Sequence, residues 1–111
     1  MKTKEELTQK YDEFINKLNG GDLEIIGVTL WPHEMKQMLL CAPSKIQEAI
    51  LEDALLGTID IGSLTDDDLE GIGQSVLPHE MREMLLSAPL NLKMNSIDAH
   101  LEEQERINNL K

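Results

Sequence analysis

The chain has 111 residues, room for one domain with a real core, and its apolar content of 41% is ordinary for a folded protein. Its 21 Asp and Glu against 10 Lys and Arg give a formal charge of −11, a field that argues against direct binding of nucleic acid or anionic membrane. The single cysteine, Cys41, excludes an internal disulfide and a thiolate metal cluster.

Thr3 and Glu6 form a capping box, and Leu7, Tyr11, Phe14, Ile15 and Leu18 follow at helical spacing. An amphipathic helix over 3–18 is predicted, stopped by Asn19, Gly20 and Gly21. The first residues lack the apolar run of a signal peptide, and no segment is long enough for a membrane span. The expectation is a cytoplasmic protein with no membrane partner. Only Tyr11, Phe14 and Trp31 are aromatic, so the core must be built from Leu, Ile, Met and Ala.

At Asp22 the chain begins to say something it says again. Residues 22–43 read DLEIIGVTLWPHEMKQMLLCAP and residues 68–89 read DLEGIGQSVLPHEMREMLLSAP, identical at 14 of 22 positions without a gap. One supersecondary unit has been duplicated, and its copies are expected to form pseudo-symmetric halves of one core. Repeat unit 1 is taken as 22–56 and repeat unit 2 as 65–109. In each, an acidic cap (Asp22, or Thr65 to Asp68) precedes a short apolar turn ending at Gly27 or Gly73. Pro32 or Pro78 then starts a helix, with Glu34 or Glu80 near its positive end. Met35, Met38, Leu39 and Ala42 share one face of the first such helix, and Met81, Met84, Leu85 and Ala88 share that of the second. Pro43 or Pro89 closes it.

After the first copy, Ser44 and Gln47 read as a capping box for a helix carrying Ile46, Ile50, Leu51, Ala54 and Leu55, ended by Gly57. Residues 58–64 read as an extended linker. After the second copy, Asn95 or Ser96 is expected to cap a last helix to Asn109. Its apolar residues Ile97, Leu101 and Ile107, with Leu110 just beyond, fall on no single stripe, as in a helix that is solvated or pairs outside the chain. Cys41, whose counterpart is Ser87, reads as a small residue at a packed helix end. The predicted fold is all-α: a single domain over 1–111, a compact bundle of five to six short helices with the N-terminal helix laid across two pseudo-symmetric halves.

Chemistry-bearing motifs are weak. His33–Glu34 and His79–Glu80 invite a metal, but adjacent helical residues point about 100° apart. A zinc-protease pattern needs a second His four residues on, where the chain has Gln37 and Glu83. The Met pairs have copper(I) spacing, yet beside Leu39 and Leu85 they read as core or as a pliable contact face. Consecutive acids at a helix start are stabilised as anions rather than poised for acid–base work. No catalytic residue, metal or cofactor is expected, and the chain reads as non-enzymatic.

One feature remains. From Ile46 through Met81 there is no Lys or Arg, while nine carboxylates fall in the window: Glu48, Glu52, Asp53, Asp60, Asp66, Asp67, Asp68, Glu70 and Glu80. Unbalanced anionic surface costs self-repulsion and speeds encounter with a basic partner. The expected function is an acidic protein-binding module that docks on a basic protein and inhibits or neutralises it, in the manner of immunity proteins and antitoxins, with DNA mimicry as a variant. Trp31 is the expected apolar anchor. Glu48, Glu52, Asp53, Asp66, Asp67, Asp68 and Glu70 are the expected partner-facing carboxylates. The alternative is a self-assembling structural protein, a homodimer or larger, in which the last helix and the Met faces pair between chains.

Overall fold

A computed structural model of the chain describes residues 3–54 and 60–109. Among these there are seven α-helices and no strand: α1 (Lys4–Lys17), α2 (Gly20–Thr29), α3 (Pro32–Cys41), α4 (Ser44–Asp53), α5 (Asp66–Ser75), α6 (Pro78–Ser87) and α7 (Leu90–Asn109). A 3-10 turn, Ile61–Ser63, precedes α5. The fold is all-α, as the sequence predicts. The helix number rises to seven because the apolar segments after each acidic cap are full ten-residue helices rather than turns.

Capping explains why such short helices hold. Asn19 Oδ1 accepts from Asp22 N at 2.8 Å, and Thr65 Oγ1 accepts from Asp68 N at 3.2 Å. Each acid returns the contact to the backbone N–H of its cap residue, at 3.5 Å for Asp22 and 3.1 Å for Asp68. α3 and α6 begin with proline, and Glu34 and Glu80 accept from the Trp31 and Leu77 N–H groups at 3.1 and 2.9 Å. These contacts satisfy donors that every helix start leaves orphaned.

The halves interlock rather than stack. α2 packs on α5 and α6, and α3 packs on α5 and α6. α2 and α5 meet at Gly27 and Gly73. A Cβ at Gly73 would stand 2.5 Å from the Gly27 carbonyl oxygen, and one at Gly27 would stand 3.0 Å from the Gly73 oxygen. Only glycine lets two helix backbones come this close. The methionines cross over at the same place: Met81 Sδ is 3.7 Å from a Cβ built at Gly27, and Met35 Cε is 3.6 Å from one at Gly73. Met35, Met38, Leu39, Met81, Met84 and Leu85 are all buried around this crossing. The Met faces are therefore core and offer no surface for pairing between chains.

The duplication reaches further back than the matching letters. Ile15 and Leu18 close α1, and Ile61 and Leu64, 46 residues later, occupy the 3-10 turn and its cap; all four are buried. The last turn of α1 serves copy two as the 3-10 turn serves copy one, packing on α6 and α3 respectively.

Several local expectations are corrected. α4 is capped by Pro43, with Ser44 already helical, and the Gln47 amide donates to the Leu39 carbonyl at 2.6 Å instead of closing a capping box. α7 starts at Leu90, because Pro89 opens it as Pro43 opens α4, and Ser96 is buried in mid-helix. The end of the 58–64 segment is a 3-10 turn, not extended chain; Leu55, Gly57, the start of that segment and Leu110 lie outside the described residues. Cys41 is exposed, and its neighbour Ala42 takes the packed position.

α1 lies along α7, and three polar ties hold it. The Tyr11 hydroxyl donates to Asp98 Oδ1 at 2.9 Å, buried Lys93 Nζ meets Asp12 Oδ1 at 2.5 Å, and the Arg82 guanidinium donates to the Leu18 carbonyl. The molecule is 21 Å thick, the depth of two helix layers. Among the described residues, no helix is long and apolar enough to cross a membrane.

Candidate partner-binding face

The two copies share an interior and differ outside. Leu23, Ile26, Gly27, Met35, Met38, Leu39 and Ala42 are buried, and each recurs unchanged in copy two. Three exposed positions have diverged in size: Ile25, Val28 and Trp31 of copy one stand where copy two has Gly71, Gln74 and Leu77. α2 is consequently apolar inside and out. Leu23 and Ile26 face the core while Ile25 and Val28 face solvent. A helix apolar on both sides is normally covered on both sides.

Trp31 caps α3 and its side chain is 67% exposed. The cap needs only its backbone N–H, which Glu34 accepts, so nothing in the helix start calls for an indole. Two crevices flank it. The smaller, about 250 Å³, runs from Val28, Trp31 and Pro32 to Glu70 and Gln74 of α5. The larger, about 720 Å³, runs between the α2–α3 corner and the second half of α7. Ile25, Leu30 and Trp31 form one wall of this groove. Ser96, His100, Glu103 and Ile107 form a stripe along the other, and Glu34, Asp98 and Glu102 complete the lining. Among the described residues no Lys or Arg lines it; Arg106 pairs with Glu103 at 2.6 Å.

The groove's inner residues carry unspent polarity. Ser96 is 6% exposed and its hydroxyl has no hydrogen-bond partner. His100 is 4% exposed and its Nδ1 has none either. His100 Nε2 lies 3.4 Å from Asp22 Oδ1, within ion-pair reach but off hydrogen-bond alignment, and Gln104 Nε2 donates to that same oxygen at 3.1 Å. Beside this region, burial and then Asp98 push the Tyr11 hydroxyl above its ordinary value of 10.0.

Among the partner-facing residues expected from sequence, Trp31 and Glu70 line one crevice. Glu48, Glu52 and Asp53 are exposed on α4 and Asp66 and Asp67 in the first turn of α5, but none of these lines either crevice beside Trp31. The Asp68 carboxylate is engaged by the Thr65 N–H. Glu80, part of the acidic window, is buried against the Leu77 N–H and adds no surface charge. His33 and His79 are exposed in the first turns of α3 and α6, and among the described residues no group of three or more His, Cys, Asp or Glu is placed to hold a metal ion. Sequence reasoning did not single out Ile25 or Val28 and read Glu34 only as a helix-start residue, whereas the acids of the last helix, Asp98, Glu102, Glu103 and Glu105, extend the acidic run and Ile107 lies on a helix read as solvated or pairing outside the chain. The signal for the first two was present, in the mismatched positions of the duplication.

No protein-family model, curated protein or solved structure matches this chain.

Proposed function

We propose that the protein is a non-enzymatic binding module that docks through its Trp31 face on a basic protein and inhibits or neutralises it. The observation that carries this reading is the exposed strip Ile25, Val28 and Trp31, three large apolar side chains where the sister copy has only Leu77, with carboxylates and, among the described residues, no Lys or Arg lining the groove beside it. Tryptophan in a pocket that loses its water on docking is a common energetic anchor, and surrounding charge sets orientation and association rate. Glu70 belongs to the contact. Glu48, Glu52, Asp53, Asp66, Asp67 and Asp68 act at longer range, steering the encounter through a field that salt screens within about 8–10 Å.

The test is capture from nuclease-treated lysate of the cells that make the protein, with the parent, Trp31→Ala, and Asp66→Lys/Asp67→Lys/Asp68→Lys run side by side. A basic protein held by the parent, lost with Trp31→Ala and captured more slowly by the triple variant is the expected result. Duplex DNA that competes for the captured protein would favour the DNA-mimic variant. Exposed Leu101 and Ile107 on α7 favour a second reading, self-assembly, which predicts that the chain captures only itself.

A further inference from the structure

The groove between α2 and α7 has the features of a receptor for a particular kind of segment. Its α7 wall is a helical stripe, Ser96, His100, Glu103 and Ile107, spaced i, i+4, i+7, i+11. At 1.5 Å per residue that stripe is about 16 Å long, three turns of helix, and its contacts recur at the pitch of a helix. The opposite wall is also helical. An extended peptide lying here would find no strand edge to pair with, and its backbone N–H and C=O groups would be left in the groove unsatisfied. A helix satisfies its own backbone and presents only side chains.

Charge narrows the choice further. Glu34, Asp98, Glu102 and Glu103 line the groove, and among the described residues no Lys or Arg joins them. A second copy of this chain, at net −11, would bring like charge to an already acidic surface. The unpartnered Ser96 hydroxyl and His100 Nδ1 add polar atoms to a lining that also holds apolar Ile25, Trp31 and Ile107.

Resting on the protein-binding reading above, we propose that this groove receives one amphipathic, basic helix of the partner, about three turns long. Apolar side chains of that helix pack on Ile25, Trp31 and Ile107. Its Lys or Arg residues run along Glu102, Glu103 and Asp98. One amide or hydroxyl side chain midway along it hydrogen-bonds to Ser96 and His100, whose covered polar atoms are turned toward the groove by a side-chain shift on docking, so that the groove distinguishes helices by a central polar residue as well as by charge.

The probe is a blocked, labelled peptide of about 14 residues, long enough for three turns, with Leu on one face, Lys on the rest and Gln in the middle of the Leu face. Its comparators are a scrambled peptide of the same composition and a peptide with Leu for the central Gln. Binding is read by anisotropy and by the blue shift of Trp31, the chain's one tryptophan. The patterned peptide is expected to bind at least about tenfold more tightly than the scrambled one, and the central Leu version to be weaker. Ile107→Ser and Glu102→Lys should each weaken it by about tenfold, while Glu83→Lys, exposed on α6 and outside the groove lining, leaves it within about twofold. All these variants are at exposed positions, and unchanged melting confirms that they fold.

Equal binding of patterned and scrambled peptides overturns the proposal, leaving only charge attraction. The same holds if sedimentation shows a dimer that Ile107→Ser dissociates, for then the groove is filled by a second copy. If a captured natural partner is lost with Trp31→Ala but unaffected by Ile107→Ser, the groove proposal fails and the Trp31-face reading stands. If neither substitution matters, both fail.

Discussion

Copy one and copy two of the duplicated unit pack as mirror roles around Gly27 and Gly73, yet they meet solvent differently. Copy one turns Ile25, Val28 and Trp31 outward; copy two turns out Gly71, Gln74 and Leu77 and is covered along α7 by α1. Identical residues in the interior mean that the core needs the same shape twice. Outside, copy one presents three large apolar side chains where copy two presents one, Leu77. The difference also shows in the third helices, since α7 has twenty residues and its counterpart α4 has ten. The additional length of α7 builds the outer wall of the groove beside Trp31.

The core half of the comparison breaks most completely with Met38→Asp or Met84→Asp. Each puts a carboxylate where a fully buried side chain sits, which costs about 5 kcal/mol or more, comparable to the whole stability of a small domain. Both variants should lack a cooperative far-UV transition, and equally so. A clear difference between them would show that the halves do not share one core.

Next in size is the glycine crossing. Gly73→Ala drives a methyl into the Gly27 carbonyl at 2.5 Å and should lower stability by about 2–3 kcal/mol even after the better helix propensity of alanine. Gly27→Ala, with 3.0 Å available, should cost less. Gly71→Ala meets nothing within 4 Å on the exposed side of the same helix and should stabilise by about 0.5–1 kcal/mol. Denaturant midpoints of the three variants give the order directly.

The docking of α1 on copy two is probed by Asp12→Ala. It leaves the Lys93 ammonium buried without its counter-charge, and because Asp12 is itself about one third exposed the loss should be about 1–3 kcal/mol rather than the full value for a buried pair. Lys93→Met should be close to neutral, since it removes the charge that needed Asp12. Equal losses from the two variants would mean that the alkyl stem of Lys93, not its charge, matters.

Smallest is the titration of Tyr11, the chain's single tyrosine. The folded state holds its proton more tightly than the unfolded state, so this contribution to stability is complete below about pH 10 and is lost as pH rises through the raised folded value. Phenolate absorbance should appear above the ordinary range in the native protein. Asp98→Asn should bring it back toward that range, and Tyr11→Phe should flatten the alkaline fall in stability.

Much of this architecture was legible from letters alone, for reasons particular residues make plain. Pro32 and Pro78, the acidic caps and the Met/Leu spacing are local devices, and local devices act the same way in the folded protein. What escaped depended on partners distant in the chain. Ser96 and Asn95 look like caps, but Pro89 had already started the helix, and α7 follows the template of α4. Leu101 and Ile107 looked misaligned because α7 changes neighbours along its length, from the core and α1 to the groove. The acidic window was visible as a run of letters, but not that Glu80 is buried in a cap or that, of the acids on α4 and α5, only Glu70 lines a crevice beside Trp31.

The central claim is that copy one, through Trp31, makes the contact and copy two does not. It is tested most directly by placing photoreactive benzoylphenylalanine at position 31 or, separately, at position 77, and irradiating each protein in lysate of its own cells. The account predicts a covalent adduct with a basic protein from position 31 and none from position 77. Equal adducts from both positions, or adducts only with a second copy of the chain, would contradict it.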